Sequence, residues 1–113
     1  MANTFKLKSN AGLTTSLVDQ YTVPGSTTTV VIGMSAANTS ANSVTVDIKI
    51  VSDTSDSETN ETVHLVKNAP VPSGGTLEIM SGNKLVLQTT DKIQAKASTT
   101  GVVDLAISIM EIT

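Results

Sequence analysis

The residues able to do chemistry are few. His64 is the only histidine and there is no cysteine. A nucleophilic triad would need a Ser or Thr hydroxyl held beside His64 and a carboxylate behind it. Ser and Thr outnumber all charged residues in this chain, so one of them near His64 carries little information. Flanked by Val63 and Leu65, His64 reads as a surface or interface residue of a strand. A lone imidazole without thiolates also falls short of a structural zinc site. The acidic run Asp53, Asp56, Glu58 and Glu61 offers oxygen ligands of the kind calcium takes. Its spacing departs from the calcium-loop pattern and no Gly supplies the sharp turn, so it reads first as a solvated loop. These residues give no catalytic, cofactor-binding or metal-binding set, and the expectation is a protein that is not an enzyme and uses no cofactor.

Two further motifs have ordinary explanations. Asn38-Thr39-Ser40 and Asn60-Glu61-Thr62 match the N-glycosylation acceptor pattern, which a Thr-rich chain generates by chance. No glycine-rich phosphate loop leads into a helix, so nucleotide binding has no support. Sugar-binding sandwiches stack their ligands on aromatic faces. Here only Phe5 and Tyr21 are aromatic, and both have apolar neighbours.

The elements that would carry these residues are strands. Val44, Val46, Ile48 and Ile50 alternate with Thr45, Asp47 and Lys49, the period of a strand with one buried face. Val103, Leu105, Ile107 and Ile109 repeat it, with Met110 and Ile112 turned the other way across a suspected bulge. Thr27–Ala37 is a strand in which Val30, Ile32 and Met34 share one face, with Gly33 marking a bulge or a close approach. It is expected to pair with Val44–Ser52. Asn3–Lys8 and Leu17–Val23 are shorter candidates, separated by a polar loop at Ser9–Ser16. After the acidic run, Val63 and Leu65 occupy one face and His64 and Val66 the other. Pro70 and Pro72 cannot donate to a ladder, so their passage is an edge or a connection. Turns at Ser73-Gly74-Gly75, Ser81-Gly82-Asn83 and Thr99-Thr100-Gly101 separate short strands at Leu77–Ile79, Leu85–Leu87 and Ile93–Ala97. Thr89-Thr90-Asp91-Lys92 suits a hairpin loop.

Helical spacing fits no segment better than alternation does. The expectation is an all-β chain: a single antiparallel β-sandwich, jelly-roll-like or Greek key, of about eight short strands. One domain spans residues 1–113, with 1–16 an N-terminal arm or an edge strand plus loop. The net charge of −3, with the basic residues all Lys and scattered, argues against nucleic acid as a partner. Residues 1–6 carry no apolar signal region and no apolar run reaches membrane-spanning length, so a soluble protein without a cleaved signal is expected. Charged residues are 15% of the chain, well below the ordinary share of about 25%. Such composition suits sheet faces that are packed against other chains.

Taken in order, the segments Tyr21–Pro24, Thr29–Met34, Leu65–Pro72, Gly74–Glu78, Lys84–Leu87 and Ser108–Ile112 carry a resemblance. From about Phe5 to the end, the chain resembles the small virion structural proteins of tailed phages, especially contractile-tailed phages of marine cyanobacteria and related marine bacteria. The resemblance implies a virion component made in the host cytoplasm, with no catalytic residue to carry over. Its partners would be copies of itself and other virion proteins, at the capsid surface, the neck and collar, or the tail and baseplate. The alternative is a carbohydrate- or receptor-binding sandwich of a phage fibre or baseplate.

Overall fold

Alternating apolar residues build nine strands in the computed structural model, which describes residues 2–52, 61–80 and 82–113. The strands are β1 (Asn3–Ala11), β2 (Val18–Thr22), β3 (Thr28–Asn38), β4 (Val44–Val51), β5 (Val63–Val71), β6 (Thr76–Glu78), β7 (Leu85–Leu87), β8 (Lys92–Ala97) and β9 (Val103–Ile112). They form two sheets. One runs β1-β9-β3-β6, with β7 also on β3; the other runs β2-β8-β4-β5. Every pairing is antiparallel. With β6 and β7 counted as one broken strand, this is the eight-strand order of a jelly roll. The broken strand lies along one edge of β3, β6 opposite Ser35–Ala37 and β7 opposite Thr29–Val31. β6 and β7 thus follow one another along a single edge of β3, and of the corner expected at Ser81-Gly82-Asn83 the residue Ser81 lies outside the described residues.

Among strands adjacent in sequence, β4 and β5 pair, whereas the other links cross between sheets or continue an edge. This corrects two expectations. β3 and β4 lie in different sheets, and residues 89–92 link β7 to β8 across the sandwich without closing a hairpin. Both strands of each such link have one strongly apolar face, which a partner sheet covers more completely than a strand neighbour can. The β3–β4 crossing is tied by Asn38, which is 2% exposed. Its amide donates to the carbonyls of Asn42 (2.7 Å) and Val71 (3.0 Å), and its oxygen accepts from Ser40 N and Oγ.

The core lies between the sheets, with Val46, Ile48, Ile93 and Ala95 on one side and Val31, Met34, Leu105 and Ile107 on the other. Alternation holds without interruption along β9, which carries Val103 to Ile109 and then Glu111 inward. No bulge falls near Met110, whereas the one expected at Gly33 is present, the register of β3 to β9 slipping between Val31 and Gly33. As a result Val31 and Met34 are both buried while Val30 and Ile32 look outward, so Met34 does not share their face. Register shifts between β4 and β5 act similarly. Val66 stands opposite inward-facing Ile48 and His64 opposite Lys49, so His64 and Val66 do not share a face.

β1 runs to Ala11, so Ser9–Ala11 belongs to a strand and not to the expected loop. An edge strand needs only its ladder to one neighbour, and Ser9 and Ala11 continue that ladder opposite Ala106 and Asp104. The chain then crosses to β2 through Gly12, whose φ of 106° is left-handed and whose absent Cβ would sit 3.2 Å from Gly101 Cα. β5, which contains Pro70, is the edge of its sheet, as its missing donor requires.

Candidate interaction surface

His64 is exposed on β5, and among the described residues no three His, Asp or Glu side chains are placed to hold a metal ion. Asp53, Asp56, Glu58 and Asn60 lie outside the described residues; Glu61 is exposed. The Asn38 acceptor motif is structurally closed, because its amide is buried and already donates to two carbonyls.

Tyr21 is 6% exposed and has no face available for a sugar. It reaches from β2 across the sandwich to Glu111 of β9. Its hydroxyl donates to Glu111 Oε2 at 2.6 Å and lies 2.7 Å from Thr29 Oγ1. Having given its one proton to the carboxylate, the phenol accepts the Thr29 hydroxyl proton. Lys6 of β1 closes the set with Nζ 2.7 Å from Glu111 Oε1. Hydrogen bonding to Lys6 first, and then to Tyr21, holds the Glu111 carboxyl below its ordinary value. Burial, reinforced by Glu111, pushes the Tyr21 phenol up to about 12. Lys8 Nζ stands 5.9 Å from the Tyr21 ring centre, within cation–π range. This polar cluster pins β1 to both sheets. Extending the alternation of Val103–Ile109 by one more step places Glu111 inward, which was the available signal for it.

β1 is thus turned polar side in. Lys6 and Lys8 reach towards the interior cluster and Asn10 Nδ2 donates to Gln20 Oε1 of β2 at 2.9 Å. Its apolar residues point outward, with Phe5 71% and Leu7 65% exposed. They are not isolated. Phe5 pairs with Met110, Met110 with Val30, and Val30 with Val86, so four side chains form one row across β1, β9, β3 and β7. Val86 is 58% exposed. Ile32 and Ile112 flank the row, and Ser108, Ala106 and Ser35 continue the face with small side chains. Its strands carry outward only the charges of Asp104 and Glu78, at the far end, and exposed Lys84 immediately precedes β7.

The outer face of the other sheet is built differently. There Lys96 lies 3.8 Å from Asp47, Lys92 lies 3.2 Å from Asp19, and Lys49 stands opposite His64. Gln94 donates to Asp19 at 2.8 Å, which together with Lys92 lowers the Asp19 carboxyl from its ordinary value. One face of the sandwich is therefore charged and hydrated, and the opposite one is apolar and nearly chargeless.

A cleft of about 600 Å³ opens between the sheets near β5 and β7, lined by Ile50, Val63, Leu85, Leu87, Glu61 and Asp91 among others. Asp91 is already engaged, accepting from Ser52 Oγ and Gln88 N, each at 3.0 Å. His64 is not among the cleft's lining residues. Comparison with family models, with curated proteins and with solved structures finds no match to this chain.

Proposed function

We propose that this protein is a non-enzymatic structural component of a tailed-phage particle, held there in many copies by contacts with itself and with other virion proteins. Jelly rolls build both viral shells and lectins, so the architecture alone selects neither. The observation that carries the reading is the outward apolar row Phe5–Met110–Val30–Val86 on a face almost without charge. Contiguous apolar surface of this kind marks a contact site for another macromolecule. The ordered segments that resemble small virion proteins support the same reading, and the negative net charge disfavours a nucleic-acid role.

The mechanism is binding alone. The apolar face and the strand edges dock, while the charged sheet faces water. A carbohydrate- or receptor-binding role on a fibre or baseplate loses Tyr21, which is buried and hydrogen-bonded in the core, and keeps only Phe5, one exposed ring within the apolar row. A quantified protein gel of purified particles tests the proposal. Many copies per particle are expected; one or two copies, or absence from the particle, overturns it.

A further inference from the structure

The reading above leaves open which surface binds what. We infer that the outer face of β1-β9-β3-β7 packs against the same face of a second copy, giving a two-fold dimer of sandwiches. This rests on the proposed structural role but makes a separate claim about one face and one occupant.

Three observations carry it. Four of the large exposed apolar side chains, Phe5, Leu7, Ile32 and Val86, belong to this one face. A two-fold contact is self-complementary, so each residue must tolerate its own kind. A face whose strands carry outward only the charges of Asp104 and Glu78 comes close to that condition, because both sit at its rim, at the end away from the row. A partner of opposite chemistry would need charged groups to answer, and the face offers almost none. The charged outer face of the second sheet cannot be the occupant. Lys49, Lys92 and Lys96 would lose water against side chains that give them no acceptor.

The area is sufficient. β3 has 11 residues. At about 3.3 Å per residue and about 4.8 Å between strands, a face four strands wide covers on the order of 600 Å². Two faces then remove on the order of 1,200 Å² from water, which reaches the lower bound for stable, specific interfaces. Sheets packed this way interdigitate side chains at an angle near 30°. Phe5, Met110 and Val86 supply the bulk for that, and Ser108 and Ala106 the hollows. β1's inverted orientation gains a reason: Lys6 and Lys8 are held by the interior cluster, so this edge strand adds Phe5 and Leu7 to the contact without adding charge.

The test uses the full chain in analytical ultracentrifugation. The unmodified protein is expected to be a dimer. Val86→Lys is expected to raise its dissociation constant at least about tenfold, as an unpaired charge in an apolar contact does, with the far-UV circular dichroism of the folded chain unchanged. Thr45→Lys, on the opposite sheet, is expected to leave the dimer intact. The chain has no cysteine. Ser108→Cys labelled with a bulky maleimide should therefore give monomers, and His64→Cys labelled identically should stay dimeric. A monomeric wild type overturns the inference, as does a dimer broken by Thr45→Lys or by the label at position 64. A monomer that joins particles through this face, with incorporation lost in Val86→Lys, assigns the face to another virion protein and also overturns it. If particles carry many copies of a chain that fails these tests, the structural role stands and the dimer falls. If the dimer forms as described but the chain is absent from particles, the reverse holds.

Discussion

At the scale of single residues, the decisive group is Glu111, a carboxylate 5% exposed between two sheets. It is tolerable there because Lys6 and Tyr21 each satisfy one of its oxygens. Its folded-state pKa is lowered from 4.5, so the charged form is bound more favourably in the folded chain. That stabilisation is complete above the ordinary carboxylate value and disappears as pH falls through the lowered one. Tyr21 has the opposite sign: its pKa is raised from 10.0 to about 12, so its contribution is complete below the ordinary value and disappears as pH rises through the raised one. Urea titrations across pH should therefore show stability falling at both ends. In Glu111→Gln the acid fall should shrink and the alkaline one move towards the ordinary tyrosine range. An unchanged acid limb in that variant would remove Glu111 from the account. Nothing in the sequence marks Lys6 as its partner, because the two residues meet only through the pairing of β1 with β9.

At the scale of elements, the alternating patterns of β4 and β9 are legible directly, and the expected apolar residues are buried, with Asp47 and Glu111 buried in addition. The pattern of β3 is not. A bulge adds one residue to one strand of a pair, which reverses the facing of everything beyond it. Gly33 hinted at the bulge, but hinting at its place does not reveal which of Val30 and Val31 faces the core. Crossings between the sheets depend on a different device, the close approach of Gly12 and Gly101. Gly12→Ala must take up both a left-handed φ and a 3.2 Å contact with backbone. It should cost about 1–3 kcal/mol, the range for a strained non-glycine conformation. Gly25→Ala, with nothing within 4 Å of its added Cβ, serves as the control and should stay within about 0.5 kcal/mol. Equal urea midpoints for the two variants would refute the argument.

At the scale of the whole molecule, the jelly roll joins distant parts of the chain. Asn3 pairs with Ile112, Val18 with Ala95 and Val46 with Ala97. Loops of this length must close before any of these contacts stabilise the chain. Refolding followed by stopped-flow fluorescence of Tyr21 should accordingly take on the order of milliseconds to seconds, the range of β-sandwiches with non-local pairing. Microsecond refolding would contradict the topology. The same long-range pairing creates the surface asymmetry. Phe5, Val30, Val86 and Met110 come from four separate stretches, and only the assembled sheet makes them one row.

The sequence by itself determined the class of structure: alternation of period two places one face of most strands against a core, and that requires no knowledge of neighbours. It also supplied a chain with few charges and a single histidine. Only the tertiary structure decided which strand lies beside which, that β3 and β4 belong to different sheets, that Glu111 and Tyr21 form a buried bridge, and that the apolar residues of β1 look outward. The physical reason is the same in each case. Alternation records that a strand has two unlike faces, whereas pairing partners, bulges and the covering of a face depend on contacts between residues far apart in the chain.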